Sequence, residues 1–122
     1  MPASVVYDTS GGKCAYRHAK FRIEANITLP RWRGVTSSNP DLRSAWKFLA
    51  AYARQHEEVH VKIAEKHAAR IAEELEALSP RKDCDALDDA AERILKRVKV
   101  EHNREQLAFD RQEQKRLAAL YD

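Results

Sequence analysis

The sequence predicts an α+β protein in which short N-terminal β-strands pack on a long antiparallel two-helix hairpin. Three patterns support this prediction: an alternation with a period of two in residues 21–28, and helical periods after residues 39 and 84. A chain of 122 residues has the length of one domain. We therefore predict a single domain over residues 1–122.

Residues 1–38 are predicted to be extended structure and loop. Phe21, Ile23, Ala25 and Ile27 alternate with polar residues, which is typical of a strand with one buried face. Gly11-Gly12 before this segment is a turn signal. We expect one or two strands here, followed by a loop.

The first helix is predicted over residues 39–78. Asn39 suits the N-cap, Pro40 suits the first helical position, and Asp41 suits the positive end of the helix dipole. Ser79-Pro80 ends the pattern. The residues of one stripe recur every three or four positions: Leu42, Trp46, Leu49, Ala53, His56, His60, Ile63, His67, Ile71, Leu75 and Leu78.

The second helix is predicted over residues 84–121. Asp85 and Asp88 resemble a capping arrangement at its start. Its stripe continues through His102 and Phe109 to Leu117. Because the connection between the two helices is short, we expect them to pack antiparallel.

The composition argues against several classes of partner. Charged residues make up 34% of the chain and the net charge is +3, but acids and bases are interspersed, so the sequence predicts no nucleic-acid partner. No apolar run approaches the roughly 20 residues of a membrane span. The first twelve residues lack the layout of a signal peptide, so the protein is cytosolic or its signal was removed.

The chain has two cysteines, Cys14 and Cys84. In a reducing compartment they would be ordinary small core residues. In an exported protein they would form one disulfide. The residues alone leave both alternatives open.

The segment His56-Glu57-Glu58-Val59-His60 predicts a zinc site. Histidines four residues apart project from one face of a helix, and two neutral imidazoles there can bind one zinc ion. Glu57 can accept a proton from water activated by that ion, which is the chemistry of the HExxH motif. The alternative is that these histidines are packed core residues of a non-catalytic helical-hairpin interaction module, with or without a structural metal.

The third ligand depends on the pairing of the helices. If the hairpin is centred near residues 81–82, His60 lies opposite residue 103, and His102 is the preferred third ligand. Glu101, Glu105 and Asp110 are the alternatives. His67 is about 10 Å too far along the helix to share the ion, so we expect it to be a core or surface imidazole.

The chain resembles the bacterial predicted secreted zinc-dependent proteases of domain-of-unknown-function family 922. The resemblance covers roughly residues 14–113. It rests on Cys14, Leu29-Pro30-Arg31-Trp32, Trp46, the segment from His56 to His60 with Ile63-Ala64, Cys84 with Leu87, and Phe109-Asp110 with Glu113.

This resemblance implies a secreted or periplasmic protein whose signal peptide was removed, a Cys14–Cys84 disulfide, and zinc held by His56 and His60. It implies a zinc metallopeptidase acting on a peptide or protein substrate, with Glu57 as its general base. Asp110 occupies the family's Tyr/Phe-Asp position, so it rivals His102 as third ligand. The Thr-x-His-Gly pattern of many relatives is absent from residues 111–116. Relatives also have more β structure at the start, so we expect part of an N-terminal sheet to be missing from this chain.

Overall fold

The computed structural model describes residues 3–21 and 39–120. Two strands, β1 (Ala3–Asp8) and β2 (Ala15–Phe21), precede two helices, α1 (Pro40–Glu76) and α2 (Cys84–Leu120). This order confirms the predicted α+β class. The described residues belong to two compact units, one made of residues 3–21 and 63–120 and the other of residues 39–62. No helix in the described ranges is both long enough and apolar enough to span a membrane.

The two strands form an antiparallel hairpin. Gly12, in the turn between them, has φ +75°, a conformation that glycine adopts without steric cost. A register shift between Val6 and Tyr7 leaves Arg17 as an extra residue on β2. The bulge changes which alternate residues face inward, so Tyr16 and Ala19 are both buried. The strand predicted from the alternation over residues 21–28 lies, after Phe21, outside the described residues.

The helix ends show which caps the sequence predicted correctly. Asn39 Oδ1 accepts hydrogen bonds from the backbone N–H groups of Asp41 at 3.0 Å and Leu42 at 3.4 Å, which confirms the predicted N-cap of α1. At the start of α2, Asp83 Oδ1 accepts from the Ala86 N–H at 2.8 Å. The cap predicted at Asp85 was therefore wrong, because the capping residue is Asp83, two residues earlier.

The core of the larger unit lies between the hairpin of strands and both helices. Its buried residues are Cys14, Tyr16, Ala19, Ile71, Leu75, Leu87, Ala91 and Val98. The Cys14–Cys84 disulfide, with a Cα–Cα distance of 5.1 Å, joins the start of β2 to the start of α2. It confirms the disulfide that the family resemblance implied. Backbone hydrogen bonds of 2.8 Å in both directions between Cys14 and Arg81 fasten the connection between the helices to the same point.

Three ion pairs fix the register of the two helices within this unit: Lys66–Glu105, Arg70–Glu101 and Glu74–Arg97. The two residues of each pair are equally distant in sequence from the point midway between residues 85 and 86. The helices therefore run antiparallel, as predicted. The centre is about four residues beyond the predicted one, a displacement of roughly 6 Å along each helix.

The reason for this shift is that the connection over residues 77–83 is not a tight turn. It runs beside Cys14, and Leu87 and Ala91 in the first turns of α2 share one core with residues of β2 and of α1. The hydroxyls of Tyr7 and Tyr16 both donate to the Asp88 carboxylate, at 2.6 and 2.5 Å. In the second half of β2, the Ala19 N–H donates to Glu76 Oε1 at the end of α1, at 3.0 Å.

Candidate metal centre

His56 and His60 lie one turn apart within α1, and their rings converge. The two Nε2 atoms are 3.2 Å apart, and the ring centroids are 4.9 Å apart with an interplanar angle of 66°. Two imidazoles bound to one tetrahedral zinc at 2.0–2.1 Å place their ligand nitrogens about 3.3 Å apart. Both side chains are half-buried. The predicted pair is therefore arranged as two ligands of one ion would be.

Asp110, the rival third ligand, lies in α2, belongs to the larger unit and is half-buried. His102 was the preferred third ligand from the sequence.

His102 instead belongs to a second pair of histidines. Its ring contacts the ring of His67 edge-on, with centroids 5.5 Å apart. Its Nε2 accepts from the Gln106 amide at 3.2 Å, and its Nδ1 lies 3.2 Å from Asn103 Oδ1. The register of the helices explains this position. Residue 102 lies opposite residue 69, two residues from His67, and not opposite residue 60.

His67 is a core imidazole, which is one of the two positions that the sequence left open. It is buried, and its Nε2 lies 3.3 Å from Glu105 Oε1. Its Nδ1 is also buried and has no hydrogen-bond partner within the described part of the chain.

The other two candidates from the sequence, Glu101 and Glu105, are paired with cations. Glu101 accepts from the Arg70 guanidinium. Glu105 accepts from Lys66 Nζ, with one of the two contacts at 2.6 Å. The Lys66 hydrogen bond, with a smaller contribution from His67, lowers the pKa of Glu105. Both carboxylates therefore join the helices to each other.

Glu57 follows His56 directly and is half-buried. A step of one residue turns the helix by about 100°, so its side chain leaves α1 beside the histidines and not between them. Tyr52 lies on the histidine face, with its ring centroid 6.2 Å from that of His56.

Two cavities flank this part of α1. One of about 280 Å³ is lined by Leu42, Ala45, Trp46 and Leu49, and its lining is almost wholly apolar. These residues lie on the same face as His56, about two to four turns towards the N-terminus. The sequence predicted Leu42, Trp46 and Leu49 as members of the apolar stripe of α1, and nothing in the sequence distinguishes a packed stripe from an open one. A second cavity, which includes Arg54 and Glu58, lies on the opposite face of the helix.

The fold and the site together define an α+β protein with a paired-histidine cluster on a long helix. The chain belongs to the bacterial family of unknown function called domain of unknown function 922, whose model matches residues 2–116. No curated protein matches the chain. No solved structure matches it either.

Proposed function

We propose that this protein is a zinc-dependent metallopeptidase with His56, His60 and Asp110 as metal ligands and Glu57 as general base. The observation that supports the proposal most is the convergence of the His56 and His60 rings, whose Nε2 atoms are 3.2 Å apart. Asp110 takes the place of His102 because His102 makes its contacts with His67 and Gln106.

The donor set suits zinc. Two imidazole nitrogens and one carboxylate oxygen match the three protein ligands of catalytic zinc sites, which leave a fourth position open. Calcium and magnesium prefer sites made of oxygen ligands. Zinc held by these residues supplies Lewis acidity and brings the pKa of water down towards about 7.

The protein side chains then have separate roles. The helix holds His56 and His60 in the orientation that metal binding needs, since their spacing places both on one face. The Glu57 carboxylate accepts the proton of the attacking water and returns it to the leaving amine. Because Glu57 lies beside the histidines, it can act on the water without occupying a metal position.

The apolar cavity on the same face suggests a substrate preference. Leu42 and Leu49 are 52% and 49% exposed, so they offer aliphatic surface to a binding partner. Leu49 lies seven residues before His56, or about 10 Å along the helix, roughly three residues of an extended peptide. We expect cleavage near a bulky apolar side chain.

The Cys14–Cys84 disulfide supports an exported protein, because structural disulfides persist in oxidising compartments. We therefore propose a secreted or periplasmic location.

Hydrolysis of an unstructured protein substrate such as casein tests the function. Purified protein reconstituted with zinc should cleave it, and a chelator should stop the reaction. Glu57→Gln should retain zinc and lose activity by about 100-fold or more, as for other general bases. Glu58→Gln is the matched control, because Glu58 is the neighbouring, exposed glutamate.

Two results would contradict the enzyme. Equal activity in the Glu57→Gln variant would remove Glu57 as the base. Stoichiometric zinc with no cleavage of any peptide would favour a non-catalytic helical-hairpin interaction module with a structural metal.

A further inference from the structure

The outer surface of α2 from residue 93 to residue 115 has a one-sided composition. Every exposed residue in this stretch is a cation, an amide or a small or branched aliphatic residue. We call this surface the basic face. Its members are Arg93, Lys96, Arg97, Lys99, Val100, Asn103, Arg104, Leu107, Ala108, Arg111, Gln112, Gln114 and Lys115.

The acids of the same stretch are all half-buried. Glu101 and Glu105 pair with cations of α1, and Glu113 pairs with Arg116 at 3.0 Å. Asp110 is the proposed third metal ligand and is half-buried as well. Charges that are interspersed in the sequence are therefore segregated in space, with the acids turned inward and the cations outward.

Most cations of the basic face are available to a partner. Lys96 and Arg97 form ion pairs with Glu92 and Glu74. The other five form no ion pair within the described part of the chain: Arg93, Lys99, Arg104, Arg111 and Lys115. Unpaired cations spread along one straight helix create a local positive potential that attracts anions.

Two exposed aliphatic residues lie among these cations. Val100 and Leu107 are 56% and 57% exposed. They are seven residues apart, so they lie on one line of the helix, about 10 Å from each other. Both line a shallow cavity of about 400 Å³, together with Arg104 and Arg111.

We propose that the basic face binds the surface of a membrane that contains anionic phospholipids, with α2 lying along that surface. Cations flanking a line of aliphatic residues match a helix at a lipid interface, where headgroups meet the cations and the acyl boundary meets the aliphatic side chains. The helix can lie flat, since residues 93–115 extend for about 33 Å.

The composition of the face favours lipid over nucleic acid. Aliphatic side chains add nothing to contacts with a phosphate backbone. The basic face also has no exposed aromatic residue on which bases could stack, within the described residues.

Sedimentation with vesicles tests the proposal on the full chain. The probes are vesicles of phosphatidylcholine alone and vesicles with about 30 mol % phosphatidylglycerol. Each basic residue close to an anionic surface raises the binding constant by about fivefold. We expect binding at least tenfold tighter to the anionic vesicles. Raising the salt from about 50 mM to about 500 mM should abolish the difference, because salt screens surface charges.

Paired variants identify the surface. Arg104→Gln with Arg111→Gln should weaken binding to anionic vesicles by about 25-fold, the product of two fivefold losses. Lys13→Gln with Lys20→Gln is the matched control, since it changes the net charge equally at exposed positions outside α2. That control should change binding less than about twofold, and helical circular dichroism should be unchanged in both.

A third variant separates lipid from other anions. Val100→Asn with Leu107→Asn should weaken vesicle binding and leave any binding to duplex DNA or polyglutamate unchanged. Three results would overturn the proposal: no preference for anionic vesicles, an equal loss in the control pair, or tight binding to DNA or polyglutamate with no effect of Val100→Asn and Leu107→Asn on vesicles.

Discussion

The two pairs of histidines differ in what holds each pair together. His56 and His60 belong to one helix, and their Nε2 atoms approach to 3.2 Å through helix geometry alone. His67 and His102 belong to different helices, and their contact depends on the register of the hairpin. The first pair is half-buried, whereas His67 is buried and bonded to Glu105.

The difference shows that a histidine on a helical stripe can serve two purposes. Within the described part of residues 39–62 no residue is buried, so His56 and His60 contribute little to a core there. The larger unit contains the fully buried side chains Ile71, Leu87 and Val98 and the disulfide. We therefore expect substitutions at the first pair to change metal binding, and substitutions around the second pair to change stability.

The largest expected effect is loss of the disulfide, which closes a loop of 70 residues in the unit of the second pair. Cys14→Ser with Cys84→Ser should lower the free energy of unfolding by about 4 kcal/mol. Urea denaturation followed by circular dichroism measures this change. At temperatures where the variant remains folded, its zinc content should equal that of the wild type. A loss below about 1 kcal/mol would show that the link contributes little.

Zinc itself should stabilise the protein through the first pair only. At a free zinc concentration of about 100 times Kd, the free energy of unfolding should rise by about 2.7 kcal/mol. Thermal melts with zinc and with a chelator measure the increment. His67→Ala should retain it, and His56→Ala should lose it. A full increment in His56→Ala would place the ion elsewhere.

His67 should affect stability by its volume more than by its polarity. His67→Ala leaves a cavity at a buried position and should cost about 2 kcal/mol. His67→Leu should be nearly neutral, because it fills the site and removes the buried Nδ1 that lacks a partner. Urea denaturation of both variants distinguishes these effects. A large loss in His67→Leu would mean that the Glu105 contact is essential.

The smallest effect concerns Tyr16. Burial, followed by its hydrogen bond to Asp88, raises the pKa of Tyr16 well above its ordinary value. A raised pKa in the folded state stabilises the protein fully below the unfolded value near 10, and this contribution is lost as the pH rises above it.

Tyr16→Phe should therefore cost about 1 kcal/mol at neutral pH and make stability less sensitive to pH above about 10. Thermal melts between neutral and strongly alkaline pH measure both changes. Tyr7→Phe should cost less, because Tyr7 is 43% exposed. An unchanged alkaline profile in Tyr16→Phe would contradict the assigned cause.

Local features of this molecule followed from its sequence, and long-range ones did not. The helix bounds were predicted within about two residues because the Asn39 cap and the Ser79-Pro80 break act locally. His102 was preferred as third ligand because the hairpin was expected to be centred near residues 81–82, whereas the ion pairs centre the two helices between residues 85 and 86. The interspersed charges likewise gave no sign of the basic face, since which charge faces the other helix depends on that register.

The most direct test of the proposed metal site is the zinc content of protein purified without chelator. Wild-type protein and His102→Asn should each hold close to one equivalent of zinc. His56→Ala and Asp110→Asn should hold far less, with affinity reduced by about 100-fold or more, beyond the loss typical of residues that only support a ligand. Zinc lost in His102→Asn but kept in Asp110→Asn, or absent from the wild type, would contradict the account.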